Sequence, residues 1–413
     1  MHILFFTDNF TPEVNAPASR TYEHCKNWVE QGIKVTVITG VPNFPKGKVY
    51  AGYKNRLVQK EKINGIEVIR VWTFIAPNEG TVRRTLDYLS FMITSFIASL
   101  FVKKPDIIVG TSPQFFTVCA AFLCAALRRV PWIFELRDLW PDSIKAVGSL
   151  KDSFFIRLMA KVEMFLYKKA DAIISVTNSF REELFKRGID KRKIYVITNG
   201  VDLQQFYKRE KDYELIHDLK LEDKFVLGYI GTHGLAHGLE TLLYAAERLQ
   251  NKKAEIDDQF ILVGDGAEKA KLQRLSIELK LKNVIFVDTV PKDQIARYWS
   301  ILDYAIIHLK DQQLFKTVIP SKVFESIGMG IPILHGVKGE SADIIRNGNV
   351  GKVFNPEDVE SLVRVIAEAK SAPNLTKKLG LNAVAESFKY ERKNLANEML
   401  KIIKNTANEN QRN

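Results

Sequence analysis

The densest chemistry in the chain lies at residues 320–332, where Pro-Ser-Lys-Val-Phe-Glu is followed two residues later by Gly-Met-Gly-Ile-Pro. A helix opening near Ser321 aims its free amides and the Lys322 ammonium at phosphate oxygens. Glu325, one turn further on, can accept both hydroxyls of a ribose, and the glycines make a tight re-entry to the next strand. A second block, 228–238, holds Gly228, Gly231, Thr232, His233, Gly234, His237 and Gly238. It follows one apolar run and precedes a helical one. Glycines there let the backbone approach a ligand, and the helix start offers amides to phosphate. His233 and His237 add hydrogen bonds or partial positive charge. Gly264-Asp265-Gly266 also follows an apolar run, but Asp-Gly turns are common and this one is uninformative by itself.

Two further places look like the other half of a site. Arg137, Asp138 and Trp140 close the run 132–136, and such a cluster is poor core material. A guanidinium, a carboxylate and an aromatic plate suit a sugar and its acceptor, with Asp138 in the active site and Glu135 structural. The loop 9–18 carries Pro12, Asn15, Ala16 and Pro17 but no glycine. It is therefore no dinucleotide fingerprint, and it fits a loop that shapes an acceptor site around Asn15 and Ala16.

Apolar runs at 2–7, 34–39, 67–71, 107–110, 132–136, 172–176 and 194–197 alternate with helical stretches such as 19–30 and 155–169. This predicts an α/β fold of parallel strands with helical crossovers. After Asn199-Gly200-Val201-Asp202 the chain turns polar over 204–223. The alternation then restarts at 226–230, 260–263, 284–287, 304–308 and 331–334. We expect two Rossmann-like domains in tandem, 1–203 and 204–381, whose ligand-binding strand ends line a shared central cleft.

The bulk numbers agree. The 413 residues, 46% hydrophobic and 26% charged, suit two globular domains. Cys25, Cys119 and Cys124 have no metal-ligand spacing and read as reduced thiols of a cytoplasmic protein. Residues 1–8 lack the basic start and cleavage site of a signal peptide. Residues 1–202 carry 29 Lys and Arg against 19 Asp and Glu, so ten of the twelve surplus positive charges fall there. No nucleic-acid-binding signature accompanies them, which leaves an anionic bilayer or acidic small substrates. The segment 86–102 is apolar apart from Asp87, lies between Arg83-Arg84 and Lys103-Lys104, and is short for a membrane span. It reads either as a buried amphipathic helix or as an interfacial helix with basic ends.

The residues just quoted resemble retaining glycosyltransferases of family GT4 along essentially the whole chain. The carriers are Asn199-Gly200-Val201-Asp202 with Phe206, the 231–238 loop with Leu239 and Glu240, Gly264-Asp265-Gly266, and the 320–325 block with Gly330 and Pro332. Arg137-Asp138-Leu139-Trp140-Pro141 resembles the bacterial N-acetyl-L-fucosaminyltransferases of O-antigen and capsule synthesis. The resemblance implies a GT-B fold, no metal or other cofactor, and a UDP-sugar donor held by the second domain. It also implies that residues from about 382 onward return to the first domain. The donor contacts it suggests are Gly231, Thr232, His233, Gly234, His237, Gly264, Gly266, Lys316, Ser321, Lys322 and Glu325. Asn15, Ala16, Arg137, Asp138 and Trp140 fall to the acceptor, and Asp138, Lys322 and Glu325 are the candidate catalytic residues.

Two departures stand out. His237 replaces a basic residue common in the first phosphate loop, and Thr317 replaces the first of the family's paired glutamates. Lys316 and Lys322 are then expected to supply charge near the diphosphate. The function expected is hexosyl transfer to a polyprenyl-linked saccharide at the inner face of the bacterial plasma membrane. The alternatives are a GT-B-fold sugar-nucleotide epimerase and a non-catalytic nucleotide-sugar-binding protein.

Overall fold

The computed structural model describes residues 1–44, 47–75, 81–139, 154–252 and 257–412. Contacts gather the chain into two units, Met1–Thr198 with Arg392–Asn413, and Asn199–Glu391.

In the first unit the described strands are β1 (His2–Phe6), β2 (Lys34–Gly40), β3 (Val58–Ile63), β4 (Ile66–Val71), β5 (Ile107–Thr111), β6 (Trp132–Leu136), β7 (Ala172–Ser175) and β8 (Ile194–Val196). They form one sheet in the order β3-β4-β2-β1-β5-β6-β7-β8. β1, β5, β6 and β7 are buried along their whole length, as strands covered on both faces must be. β3, by contrast, is polar, antiparallel to β4 and at the sheet edge. Its hairpin turns on Asn64 (φ 46°) and Gly65 (φ 83°), a pair suited to a two-residue turn. No apolar run marks β3, so the pattern of hydrophobic runs passes over it.

The helix Arg392–Arg412 packs beside Ala16–Glu30. Trp28 Nε1 donates to Ala396 O at 2.8 Å, and Met399, Leu400 and Ile403 join Cys25 and Trp28 in the core. Cys25 and Cys124 are buried, Cys119 is half-buried, and all three are free thiols.

The second unit's described strands are β9 (Phe225–Ile230), β10 (Asp258–Val263), β11 (Val284–Val287), β12 (Tyr304–His308), β13 (Ile333–Gly336) and β14 (Gly351–Val353). All are parallel, in the order β11-β10-β9-β12-β13-β14. From β9 the chain first moves outward to β10 and β11, then returns to β12 and moves the other way. The strand order therefore reverses between β9 and β12, the place where open parallel sheets bind ligands.

The unit borders differ from those drawn at 203 and 382. Residues 199–203 join the second unit because Val201 is wholly buried in its core and its N–H donates to Tyr390 O at 2.9 Å. The helix Pro373–Ser387 stays there too, with Ala383 and Leu379 in the core on either face of that sheet. The chain rejoins the first unit only at Arg392.

Candidate active site

In the second unit the loop after β9 is clamped by the loop after β10. Gly231 N–H donates to Val263 O, and His233 N–H donates to Asp265 O, both at 2.9 Å. Glu268 N–H returns a bond to His233 O at 2.9 Å. The fit admits no side chain at two positions. A Cβ on Gly264 (φ 137°) would lie 2.1 Å from Gly231 O, and one on Gly266 would lie 2.4 Å from His233 O. The Asp-Gly turn that carries little meaning as sequence is thus the mate of the phosphate-loop candidate. Lys269, buried, supports it by donating to Gly264 O at 2.9 Å and pairing with Asp288.

Tyr229, at the end of β9 and buried, organises what lies beneath this loop. Its hydroxyl donates to Thr232 O at 2.7 Å. Its ring centre lies 3.6 Å from Lys322 Nζ, 5.8 Å from the His233 ring and 5.9 Å from the His237 ring. Lys322 Nζ, both ring nitrogens of His233 and Nδ1 of His237 are buried without a hydrogen-bond partner. Burial drives Lys322 down to about 7, with Glu325 opposing the shift. Burial, helped by the charges of Lys269 and Lys322, holds His233 at about 4. Burial and Lys322 hold His237 at about 3. The backbone of His237 is fixed separately, because its carbonyl accepts from His308 Nδ1 at 2.6 Å while His308 Nε2 accepts from Glu357 N–H at 2.9 Å. Those two bonds define His308 as the neutral Nδ1–H tautomer.

Buried polar atoms without partners are rare in folded proteins, and a group of them around one ring calls for a ligand. Charged Lys322 Nζ can only donate, and the neutral His233 ring donates through one of its two nitrogens, so the ligand they suit is an anion. The glycine loop beside them suits phosphate.

The helix Lys322–Met329 begins at Ser321, whose side chain makes no cap bond. Val323 N–H and Phe324 N–H already donate to Pro320 O and Ser321 O at 3.0 Å. The Lys322 side chain, rather than these amides, is therefore what this helix start offers to an anion. Glu325 is half-buried one turn on. Lys316 is turned elsewhere and donates to Gln313 Oε1 at 3.0 Å. Thr317 closes the same short turn, its hydroxyl donating to Leu314 O at 2.6 Å.

In the first unit, Glu135 on β6 is buried and paired with Arg20 at 2.9 Å. Arg20 also donates to Thr198 O and Ile197 O, at 2.6 and 3.0 Å. Burial pushes Glu135 up, and the charges of Arg20 and Arg137 more than reverse it. Arg137 is brought down to about 10 by burial against the pull of Glu135. It reaches the first turn of the helix Ala16–Glu30, donating to Pro17 O at 3.3 Å. Asn15 caps the helix Ala16–Glu30: its Oδ1 accepts from Ala18 N–H at 2.9 Å, and its Nδ2 donates to Asn9 Oδ1 at 2.6 Å. The carboxamide is thus engaged at both ends, while Ala16 is exposed. Asp138 is half-buried on the same loop as Arg137 and close enough to Tyr167 for its charge to raise that phenol. Trp140 lies outside the described residues.

Two family models match the chain: Glycosyltransferase Family 4 over residues 18–205, and Glycosyl transferases group 1 over residues 213–385. The chain is a GT-B glycosyltransferase. This glycosyltransferase is 24% identical to WcaI of Escherichia coli K12, whose name provisionally gives it as a glycosyl transferase of colanic acid biosynthesis. That match covers 90% of this chain and 93% of WcaI. Among solved structures, HepE of Anabaena in complex with UDP-glucose superimposes with a TM-score of 0.72 at 15% identity, covering 98% of this chain and 100% of that one. WaaG, a glycosyltransferase involved in lipopolysaccharide biosynthesis, gives 0.70 at 15%, over 97% and 99%.

Among its described residues, the glycosyltransferase places no group of three or more His, Cys, Asp or Glu to hold a metal, and no helix is long and apolar enough to cross a membrane. An open cavity of about 610 Å³ lined by Glu240, Lys271, Arg274, Glu278 and Lys310 shares only Gly238 with the 231–238 loop. Tyr229 and Arg20 were not singled out in the sequence, since a tyrosine in an apolar strand and an arginine on a mixed helix read as ordinary.

Proposed function

We propose that this glycosyltransferase moves a sugar from a UDP-sugar to a lipid-linked saccharide in cell-surface polysaccharide synthesis, with retention and without a metal. The observation that carries the reading is the group of partnerless donors around Tyr229, Lys322 Nζ above all, beneath a glycine loop at the strand-order switch. The choice of UDP draws on the UDP-glucose complex of HepE, and the setting draws on WcaI. An N-acetyl-L-fucosamine-type sugar is the donor suggested by the 137–141 element.

In the reaction the bond between the anomeric carbon and the diphosphate oxygen breaks, and a bond from the same carbon to the acceptor oxygen forms. The acceptor proton passes to the departing diphosphate on that face. Negative charge grows on the leaving oxygen, so Lys322, His233 and the 231–238 amides stabilise the transition state more than the ground state. Ser321, Gly264 and Gly266 complete the phosphate cradle, and Glu325 takes the ribose hydroxyls. Arg137 and Asp138 orient the acceptor, and the protein works at the inner face of the bacterial plasma membrane.

Calorimetric titration with UDP, in EDTA, on wild type and Glu325→Ala tests the donor half. Micromolar binding that the substitution weakens supports it. Silence toward UDP, GDP and ADP alike sinks it.

A further inference from the structure

The helices Thr81–Leu100, Phe115–Arg128 and Phe154–Lys169 cross from β4 to β5, β5 to β6 and β6 to β7. All three connections step in the same direction along the sheet. Right-handed crossovers put them on one face, and Phe122 meets Phe165 at 5.4 Å where the second and third touch. A helix packed on a sheet ordinarily turns its charged side to water; the first two of these leave apolar side chains there along most of their length, and the third mixes apolar side chains with the exposed cations Arg157 and Lys161. On the first, Ile93 and Ile97 are exposed, and Phe101, just past its end, is 80% exposed. Leu123 and Leu127 are exposed on the second, Leu158 and Phe165 on the third. Between residues 88 and 102 the first helix and its end carry no charge at all.

Pairs of basic residues stand where the helices end. Lys103 and Lys104 follow the first, Arg128 and Arg129 close the second, and Lys168 and Lys169 close the third. Arg128 ties two of these ends together by donating to Ser99 O, Leu100 O and Val102 O at 2.6–2.8 Å. Lys193 binds the third, donating to the carbonyls of Tyr167, Lys168 and Ala170. The neighbouring acids Asp106 and Asp171 are held by the backbone amides of His2 and Trp132.

We propose that this three-helix face docks on an anionic lipid bilayer, its apolar stripes at the acyl boundary and its basic helix ends over the phosphate headgroups. A broad apolar surface with lysine and arginine pairs at its edge matches such a membrane in both hydrophobicity and charge. The inference extends the lipid-linked acceptor reading above, and would place that acceptor's membrane against this face.

The test is sedimentation of the full chain with protein-free vesicles, either phosphatidylglycerol with phosphatidylethanolamine or phosphatidylcholine alone, alongside UDP titration. The expected result is binding to the anionic vesicles, weakened by salt, and weak binding to phosphatidylcholine. Ile97→Glu with Leu127→Glu should cut vesicle binding at least tenfold, and Lys103→Ser with Lys104→Ser several-fold. UDP affinity and melting temperature should be unchanged in both, which verifies folding. Vesicle binding that persists when wild type ignores UDP would sink the donor reading and leave this one standing. No vesicle binding by a UDP-binding wild type overturns the proposal, and so does a Glu double variant that still sediments. Capture by native inner membranes but not by vesicles gives the face to a protein, and a dimer that the Glu variant dissociates gives it to a second copy; either overturns the proposal.

Discussion

The Lys322 ammonium has no hydrogen-bond partner, and burial brings it down to about 7. A diphosphate supplies the missing partner and keeps the ammonium charged. UDP binding should therefore take up protons, and its affinity should fall as pH rises above 7. For a group at about 7, going from pH 7 to pH 9 adds roughly 2.3 kcal/mol to the cost of the charged form, about a 50-fold loss of affinity. His233 and His237 stay neutral across this window, at about 4 and about 3. A phosphate whose second ionisation lies near 6 is already fully ionised there, so the slope isolates Lys322. Isothermal titration at pH 7, 8 and 9, in buffers of different ionisation enthalpy, reads both affinity and proton uptake. Lys322→Met should bind roughly ten- to a hundredfold more weakly at pH 7, the worth of a charged hydrogen bond, and show no slope.

Stability of the empty protein gives the sign a second check. The folded value of Lys322 lies below its unfolded one, so the unfolded chain holds the extra proton between pH 7 and about 10.4, and stability rises with pH across that window. Lys322→Met removes this dependence, and each kcal/mol recovered at pH 7 lifts Tm by about 2–4 °C. Wild-type UDP affinity that stays flat from pH 7 to 9 would refute the reasoning.

Three other outcomes follow. Gly264→Ala drives a Cβ into Gly231 O and should abolish UDP binding and lower the urea midpoint. Gly234→Ala, whose Cβ would make ordinary contacts of 3.6 Å with His237 and Thr232 at a φ of −109°, should leave the midpoint nearly unchanged. Arg20→Ala removes the ion-pair partner of the buried Glu135 carboxylate, with the charge of Arg137 left to offset part of the loss, and should cost about 3 kcal/mol by chemical denaturation, with UDP affinity intact in whatever fraction folds. Asp138→Asn should keep UDP affinity and lose transfer in a radiolabelled-sugar assay on membrane lipid; unchanged turnover would remove Asp138 from the mechanism.

Much of the second unit was legible because its site uses local signals. A glycine-rich strand-to-helix junction and a Ser-Lys-x-x-Glu helix start each declare themselves within a short run of sequence. What was not legible is what depends on two loops meeting. The value of Gly264 and Gly266 lies in the carbonyls of Gly231 and His233, more than 30 residues earlier. Tyr229 looks like any apolar strand residue until Lys322 is seen on its ring. In the first unit the buried strands announced themselves as apolar runs. β3 hid because its side chains alternate between half-covered and exposed, although Asn64-Gly65 was the available hairpin signal. Asn15, expected near the acceptor, also caps a helix through its carboxamide, a role its place before Ala16-Pro17 signals only once the helix start is known.

The departure at Thr317 bears on how the site handles charge. Where the GT4 resemblance leads one to expect a glutamate, Thr317 closes a turn onto Leu314 O and Lys316 faces Gln313. Neither adds charge to the group around Tyr229. With both histidines neutral and Lys322 near its midpoint at pH 7, that group carries little charge when empty, and the arriving diphosphate creates the cation that holds it. The ammonium held by bound donor is already charged, and its attraction grows as negative charge builds up on the leaving oxygen. The interaction is then larger in the transition state than with bound donor, which is the condition for raising turnover rather than only tightening binding. Lys322→Arg keeps a cation that does not titrate in this range, so it should bind UDP with no pH slope, and a slope that survives the exchange would take Lys322 out of the proton uptake.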